Sequence, residues 1–195
     1  MQNFKHNDID ENRKHRSTVS HISTIPVTES VLNDKNKAYE KALKLPSNTF
    51  EEEEEKQLAV MNALGLTKKE QHALLDYIGF GYEKINHRLR QGIYSNNTEQ
   101  VKLLRNALDK MPIYKGEVYR YSNLPEEILK KTILDVVQKR QLNENAFFST
   151  TKKDNILEVV DNPNVKYIIY SKKGHDLRGI NDDENEVLLK KQYFI

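Results

Sequence analysis

Three short segments in the second half of the chain set polar, chemically active side chains among apolar neighbours. They are EVYR, which ends at Arg120, FFSTT around Ser149, and ENEVLL with Glu184 and Glu186. An arginine can hold a phosphate through two parallel hydrogen bonds. A serine at the end of a strand can orient a carboxylate, and a carboxylate can stabilise an oxocarbenium ion. Together these side chains predict a site that breaks a glycosidic bond close to a phosphate.

Each of these segments has an ordinary structural explanation when it is taken alone. Arg120 could be a salt-bridged arginine whose stem lies along a strand, and Ser149 a satisfied hydroxyl at a strand end. Glu184 and Glu186 could lie on an exposed strand edge. Their spacing is informative, however, because residues i and i+2 of a strand point to the same face. Two carboxylates would then share one cleft, where one stays ionised and the other bonds a substrate.

A helix upstream of the arginine adds a second polar surface. Tyr82, Asn86 and Arg90 follow one another at intervals of four residues, which places them on one stripe of a helix. Ile85 and Leu89 form a neighbouring stripe that can face the core. The polar stripe could reach phosphate groups, although an ordinary amphipathic helix would show the same pattern.

The elements that position these residues change in type along the chain. Apolar periodicity predicts helices first and strands afterwards, which is typical of an α+β fold. Gly79 and Gly81 are expected to end the helix that starts at the capping box of Thr67 and Glu70. The predicted helices cover about 38–45, 51–64, 67–77, 82–90, 98–108 and 125–138, and the predicted strands 118–121, 146–150, 165–170, 186–189 and 192–195.

Composition excludes several classes of function. The 195 residues carry a net charge of only +2, so charge gives no case for nucleic acid or an anionic membrane as partner. There is no cysteine, which excludes thiolate catalysis and cysteine-based zinc sites. The six histidines are scattered, and no metal site is predicted. Residues 1–36 form a polar tail that we expect to be disordered, as a non-cleaved export signal, a linker or a plain terminus. Residues 37–195 are expected to form the catalytic domain.

At this point the sequence resembles the R-S-E clan of bacterial mono-ADP-ribosyltransferase toxins and effectors, which includes the cholera-toxin-like and binary-toxin-like catalytic domains. The clan has an aromatic-Arg strand, a Ser-Thr-Ser-like strand and a Glu-x-Glu pair, in that order. The matching segments here are Tyr119-Arg120, Ser149-Thr150-Thr151 and Glu184-Asn185-Glu186. The clan's upstream helix motif is matched by Tyr82, Ile85, Asn86, Leu89 and Arg90, and the loop before the Glu-x-Glu pair by residues 174–180.

The resemblance implies a fold, a substrate and a set of roles. The fold would be the ADP-ribosyltransferase fold, with a helical N-terminal layer on two small antiparallel sheets and NAD in the cleft between them. Arg120 would hold a phosphate, Ser149 would orient Glu186, Glu186 would bond the nicotinamide ribose, and Glu184 would help the acceptor. The residues expected to contact NAD are Tyr82, Asn86, Arg90, Tyr119, Arg120, Ser149 and Thr150.

The same resemblance implies transfer of ADP-ribose from NAD to a side chain of a target protein. Arginine is favoured as acceptor and threonine or serine is an alternative, because the loop before Glu184 lacks the aromatic residue that some relatives use to dock their target. The enzyme is expected to be a monomeric toxin or effector, secreted without a classical signal peptide and delivered into host cytoplasm. Two other functions stay open, an NAD glycohydrolase and a non-catalytic version of the fold that binds NAD or a partner.

Overall fold

Most of the helices precede the strands along the chain, as the apolar pattern predicts. The structure, a computed structural model, describes residues 29–139, 142–154, 162–182, 185–190 and 192–194. The helices of these residues are α1 (Glu29–Ala42), α2 (Phe50–Ala63), α3 (Lys68–Asp76), a π-helix (Tyr77–Gly81), α4 (Tyr82–Arg90), α5 (Glu99–Asp109) and α6 (Glu126–Lys139). The strands are β1 (Ile113–Ser122), β2 (Leu142–Glu144), β3 (Phe148–Thr151), β4 (Val165–Asp176), β5 (Glu186–Leu189) and β6 (Gln192–Phe194).

The strands form two antiparallel sheets. Four of them close into a small barrel in the order β1-β3-β5-β4, and β2 pairs with β6 in a separate two-stranded sheet. Fold class α+β is therefore confirmed. No helix in the described ranges has both the length and the apolar character that a membrane span requires.

Two apolar cores hold the fold together. The larger one joins the helices to the outer side of the barrel, because Phe147, Leu177 and Leu188 pack with helical residues such as Leu74 and Leu104. The smaller core fills the barrel and contains Val118, Phe148, Ile169, Val187 and Leu189. Alternate residues of β5 thus serve different cores, Leu188 the larger one and Val187 and Leu189 the smaller one, as the period of two in a strand requires.

Three sequence predictions need correction. Helix α1 begins at Glu29, inside the segment assigned to the polar tail, and residues 1–28 lie outside the described part of the chain. Gly79 and Gly81 do not end the helical conformation after α3, because the π-helix Tyr77–Gly81 continues directly into α4. Strands β1 and β4 are longer than the apolar pattern predicts, since they pair with each other from Ile113↔His175 to Ser122↔Val165.

Candidate active site

Arg120 lies on the inner side of the barrel wall, where β1 approaches β3. In the antiparallel pairing of β1 with β4, Arg120 is opposite Tyr167. Its guanidinium carbon lies 4.5 Å from the centre of the Phe148 ring, which fixes the plane of the group. Nη1 donates a hydrogen bond of 2.9 Å to the backbone carbonyl of Ser149, and Nε donates one of 3.3 Å to Oγ of Ser122. Nη2 has no hydrogen-bond partner within the described residues, so this edge of the fork can bind a ligand.

A pocket of about 540 Å³ opens between Arg120 and the exposed face of α4; we call it the arginine pocket. Burial lowers the pKa of Arg120, and the nearby charge of Arg90 lowers it further. Two adjacent cations that repel each other favour an anion between them. The residues that line the arginine pocket are Tyr82, Glu83, Lys84, Asn86, His87, Arg90 and Arg120.

Glu144 holds Arg90 in place at the rim of this pocket. Nε of Arg90 lies 3.2 Å from both carboxylate oxygens of Glu144, and Nη2 lies 3.0 Å from Oε2. Oε1 of Glu144 also accepts a 2.9 Å hydrogen bond from the amide of Ala146. The carboxylate therefore ties α4 to the segment that leads into β3.

Asn86 joins three parts of the site through one buried side chain. It is 9% exposed. Nδ2 donates to the hydroxyl of Tyr77 at 3.0 Å, and Oδ1 accepts from the amide of Phe147 at 3.1 Å. Because both ends of the amide are used, Asn86 fixes α4 against the π-helix and against the start of β3.

Ser149 and Glu186 share the outer face of the barrel wall. Glu186 is directly opposite Thr151, and Ser149 is opposite Leu188, so Ser149 and Glu186 are diagonal neighbours on adjacent strands. Such neighbours lie about 7–8 Å apart and point to the same side. Glu186 is 4% exposed, and its Oε2 accepts a hydrogen bond of 2.8 Å from Nδ2 of Asn181.

Tyr77 lies between the arginine and glutamate sides of the site. Burial raises the pKa of its phenol well above the usual value, and the negative charge of Glu186 adds to this while the charges of Arg120 and Arg90 oppose it. Its ring packs edge-to-face on Phe147, with centroids 5.4 Å apart. A neutral phenol is thus held among the three charged side chains.

The segment from Leu177 to Asp182, which precedes Glu186, is fastened to α2. Nε2 of Gln57 donates to the carbonyl of Ile180 at 2.9 Å, and Lys56 forms a 2.9 Å ion pair with Asp182. Gly179 has a φ of +82°, and a Cβ there would lie 2.6 Å from Cδ2 of Leu43, so only glycine fits this turn. The anchoring holds Asn181 where it can orient Glu186.

The structure brings together some of the predicted site residues and separates others. Tyr82, Asn86, Arg90 and Arg120 meet in the arginine pocket, and Ser149 joins them through its carbonyl. Tyr119 is adjacent to Arg120 on β1 and points to the opposite face, where Lys166 lies 5.2 Å from its ring centre. The hydroxyl of Thr150 is buried and donates to the carbonyl of Val187 at 2.5 Å. Glu184 lies outside the described residues, and its role stays a prediction.

Three residues of the site are absent from the sequence predictions: Tyr77, Glu144 and Asn181. No periodic pattern marks these residues, because each acts through a side-chain contact with another element of the fold: Tyr77 is 9 positions from Asn86, and Asn181 is 5 positions from Glu186. Glu144 is 54 positions from Arg90, and Asn86 is 61 positions from Phe147. The described residues also contain no group of three or more acidic or histidine side chains arranged for a metal ion.

The family of this chain follows from its similarity to known proteins. The model of the ADP-ribosyltransferase exoenzyme family matches residues 33–194. The chain belongs to the ADP-ribosyltransferase exoenzyme family. The resemblance seen in the sequence is therefore confirmed. NAD is the substrate of that family.

One curated relative is Mav of Mycobacterium avium (strain 104), which is named as an NAD(+)–arginine ADP-ribosyltransferase. It is 32% identical over 120 residues, which is 60% of this chain and 14% of that protein. The chain therefore spans only a small part of the length of this relative.

Solved structures confirm the fold at low sequence identity. HopU1, an ADP-ribosyltransferase of Pseudomonas syringae pv. Tomato DC3000, is 16% identical with a TM-score of 0.51, over 83% of this chain and 88% of HopU1. Exoenzyme S of Pseudomonas aeruginosa, solved with human 14-3-3 protein beta and carba-NAD, is 18% identical with a TM-score of 0.52, over 80% and 76% of the two chains. The C2-I component of the Clostridium botulinum C2 toxin is 21% identical with a TM-score of 0.54, over 75% and 41%.

Proposed function

We propose that this chain is the catalytic domain of a mono-ADP-ribosyltransferase that cleaves NAD and transfers ADP-ribose to an arginine side chain of a protein. The observation that carries the proposal is the contact of Arg120 with the Ser149 backbone, beside a cationic pocket and one strand from Glu186. Phosphate binding and ribose chemistry are thereby adjacent. NAD carries both groups.

Arg120 and Arg90 hold the two phosphates of NAD in the arginine pocket. The free edge of the Arg120 guanidinium is the stronger ligand, because Phe148 and Ser149 already fix its plane. Arg90 is exposed and paired with Glu144, so it supplies charge at the rim. Tyr82, the exposed aromatic residue of the same pocket, packs against the bound nucleotide.

Glu186 acts on the nicotinamide ribose. Its carboxylate bonds a ribose hydroxyl and stabilises the oxocarbenium ion that forms when the ribose–nicotinamide bond breaks and its electron pair leaves with nicotinamide. Asn181 and Ser149 orient this carboxylate from its two sides. The acceptor nitrogen then forms a bond to the same ribose carbon, and Glu184 accepts the proton that the acceptor loses.

Two observations favour arginine as acceptor over threonine or serine. The relative Mav is named for arginine modification. A glutamate at the first position of the Glu-x-Glu pair, here Glu184, accompanies arginine acceptors in the clan that this chain resembles. A carboxylate at this place pairs with a guanidinium through two hydrogen bonds, and a hydroxyl offers only one.

The setting that fits this activity is that of a toxin or effector. We propose that the protein is secreted, acts as a monomeric virulence factor on a host protein, and uses the polar segment 1–36 for export and not for catalysis. Residues 37–195 then form the catalytic domain, and helix α1, which begins at Glu29, crosses the boundary between the two segments.

Labelling of a host-cell lysate tests the proposal. The protein is incubated with lysate and NAD, and modified peptides are located by mass spectrometry, with Glu186→Gln as the inactive control. The expected result is ADP-ribose on arginine side chains in the wild-type sample alone. Release of free ADP-ribose with no labelled peptide would instead identify an NAD glycohydrolase. Labels confined to threonine or serine would overturn the assignment of arginine as the acceptor.

A further inference from the structure

A π-helix presents an aromatic side chain to solvent next to the active site. In the π-helix Tyr77–Gly81, Tyr77 is 2% exposed, whereas Phe80 is 98% exposed. A Cβ at Gly81 would lie 2.8 Å from the carbonyl oxygen of Asp76, so glycine is needed at this position. Single-turn π-helices are frequent at functional sites, and here the turn holds Phe80 away from both apolar cores.

Helix α2 provides an acidic wall that faces this aromatic residue. Phe50 begins the helix and is 70% exposed. Glu52 is used in the capping box with Thr49, where it accepts from the backbone. Glu53 and Glu54 are exposed and form no ion pair within the described ranges of the chain.

These two walls enclose a second pocket of about 540 Å³, which we call the acidic groove. Its walls include Phe50, Glu53, Glu54, Asp76 and Phe80, and its described lining contains no lysine or arginine. Oδ2 of Asp76 accepts a 2.6 Å hydrogen bond from Nε2 of Gln100. A groove with three carboxylates and two exposed aromatic rings is complementary to a guanidinium, which pairs with carboxylates and stacks on rings.

The acidic groove leads to the proposed catalytic carboxylate. Ile180 and Asn181 are part of its lining, and Nδ2 of Asn181 donates to Oε2 of Glu186 at 2.8 Å. Gln57, another lining residue, fixes the carbonyl of Ile180. A chain that lies in the groove therefore ends one side chain away from Glu186.

We propose that the acidic groove is the docking surface for the target protein and binds a basic, arginine-containing segment whose acceptor side chain reaches Glu186. This inference rests on the proposed function. It assigns recognition of the acceptor to Phe80, Glu53 and Glu54, which lie on the helical half of the molecule and outside the arginine pocket.

Two acceptors of different size separate docking from chemistry. Protamine, an arginine-rich protein, can fill the groove, whereas agmatine carries a guanidinium with no neighbouring chain. For Phe80→Ala and for the double variant Glu53→Gln/Glu54→Gln, we expect the KM for protamine to rise roughly tenfold. Transfer to agmatine and release of nicotinamide should stay within about twofold of the wild type, since the variants leave the NAD site intact.

Matched controls account for nonspecific attraction between acidic and basic proteins. Glu126→Gln/Glu127→Gln removes the same charge from the exposed first turn of α6, and Tyr170→Ala removes an exposed aromatic side chain from β4. Both controls should modify protamine as the wild type does. Equal losses in the control and groove variants would overturn the proposal, as would an unchanged KM in the groove variants.

A binding measurement keeps this result separate from the enzymatic activity. Calorimetry of protamine with each variant in the absence of NAD should show roughly tenfold weaker binding for the groove variants alone. If wild-type protein binds protamine in this way but never labels it, the proposed function fails and the docking surface stands. A wild-type dimer that Phe80→Ala dissociates would show that a second copy occupies the groove and would overturn the docking proposal.

Discussion

The arginine pocket and the acidic groove have the same volume, about 540 Å³, and opposite charge. Each reaches the Ser149–Glu186 pair through one residue, Arg120 in the pocket and Asn181 in the groove. A transferase must bring an anionic dinucleotide and a cationic acceptor to one ribose carbon. Separate cavities of opposite charge let each substrate bind without competition from the other.

The two cavities also differ in how firmly they are built. Buried hydrogen bonds of Asn86 and the bidentate ion pair of Arg90 with Glu144 fix the walls of the arginine pocket. The acidic groove presents exposed side chains, Phe80 and Glu53 among them, on a helix surface. A rigid pocket suits one invariant substrate such as NAD, whereas an open surface accommodates the varied shape of a protein.

The largest effect is expected at Glu186, the carboxylate that we propose to act on the nicotinamide ribose. Glu186→Gln should bind NAD as the wild type does and release nicotinamide roughly 10²- to 10³-fold more slowly, because the charge acts mainly in the transition state. Calorimetry and a nicotinamide assay measure the two quantities. Glu127→Gln, on the exposed start of α6, serves as control, and an equal loss of NAD affinity in Glu186→Gln would place this residue in substrate binding instead.

A smaller effect is expected for Asn86, whose hydrogen bonds fix the arginine pocket in place. Asn86→Ala leaves the buried hydroxyl of Tyr77 and the amide of Phe147 without their partner, which should lower the free energy of unfolding by about 2–4 kcal/mol. The exposed Asn106→Ala on α5 should change it by less than about 0.5 kcal/mol. Urea denaturation compares the two, and similar values for both variants would show that the hydrogen bonds of Asn86 contribute little.

The smallest effect is expected within the pocket itself. Arg120→Lys keeps the charge and loses the planar fork, so NAD affinity should fall roughly tenfold while the fold stays intact. Arg88→Lys, on α4 and outside the lining of the pocket, is the matched control. Unchanged NAD affinity in a folded Arg120→Lys protein would remove this arginine from the phosphate site.

The sequence predicts the bounds of α4 and β5 more closely than it predicts the contacts between the elements of the site. The bounds of α4, Tyr82–Arg90, agree with the predicted helix, and its polar stripe does face Arg120. Helical periodicity and strand alternation act over a few residues, so local pattern is enough there. The contact of Arg120 with Ser149 depends on the pairing of β1 with β3, which joins residues 29 positions apart.

The acidic groove could not be predicted in this way. Two glycines within three residues are typical of a helix end, and Gly79 and Gly81 instead accompany a π-helix that exposes Phe80. The acidic run in α2 is explained as a favourable helix start, and only the tertiary structure sets it opposite Phe80. Tyr119 and Thr150 show the same limit, because the strand face on which each residue lies depends on pairing register.

Product analysis with NAD and agmatine tests most directly the central claim, that this site cleaves NAD and passes ADP-ribose to a guanidinium. Chromatography with mass detection follows nicotinamide, free ADP-ribose and ADP-ribosylated agmatine over time. The account predicts that the wild type releases nicotinamide in an amount equal to the other two products together, with agmatine modified, and that Glu186→Gln forms almost none of them. A folded wild-type protein that binds NAD and releases no nicotinamide, or a Glu186→Gln variant that matches its rate, would contradict it.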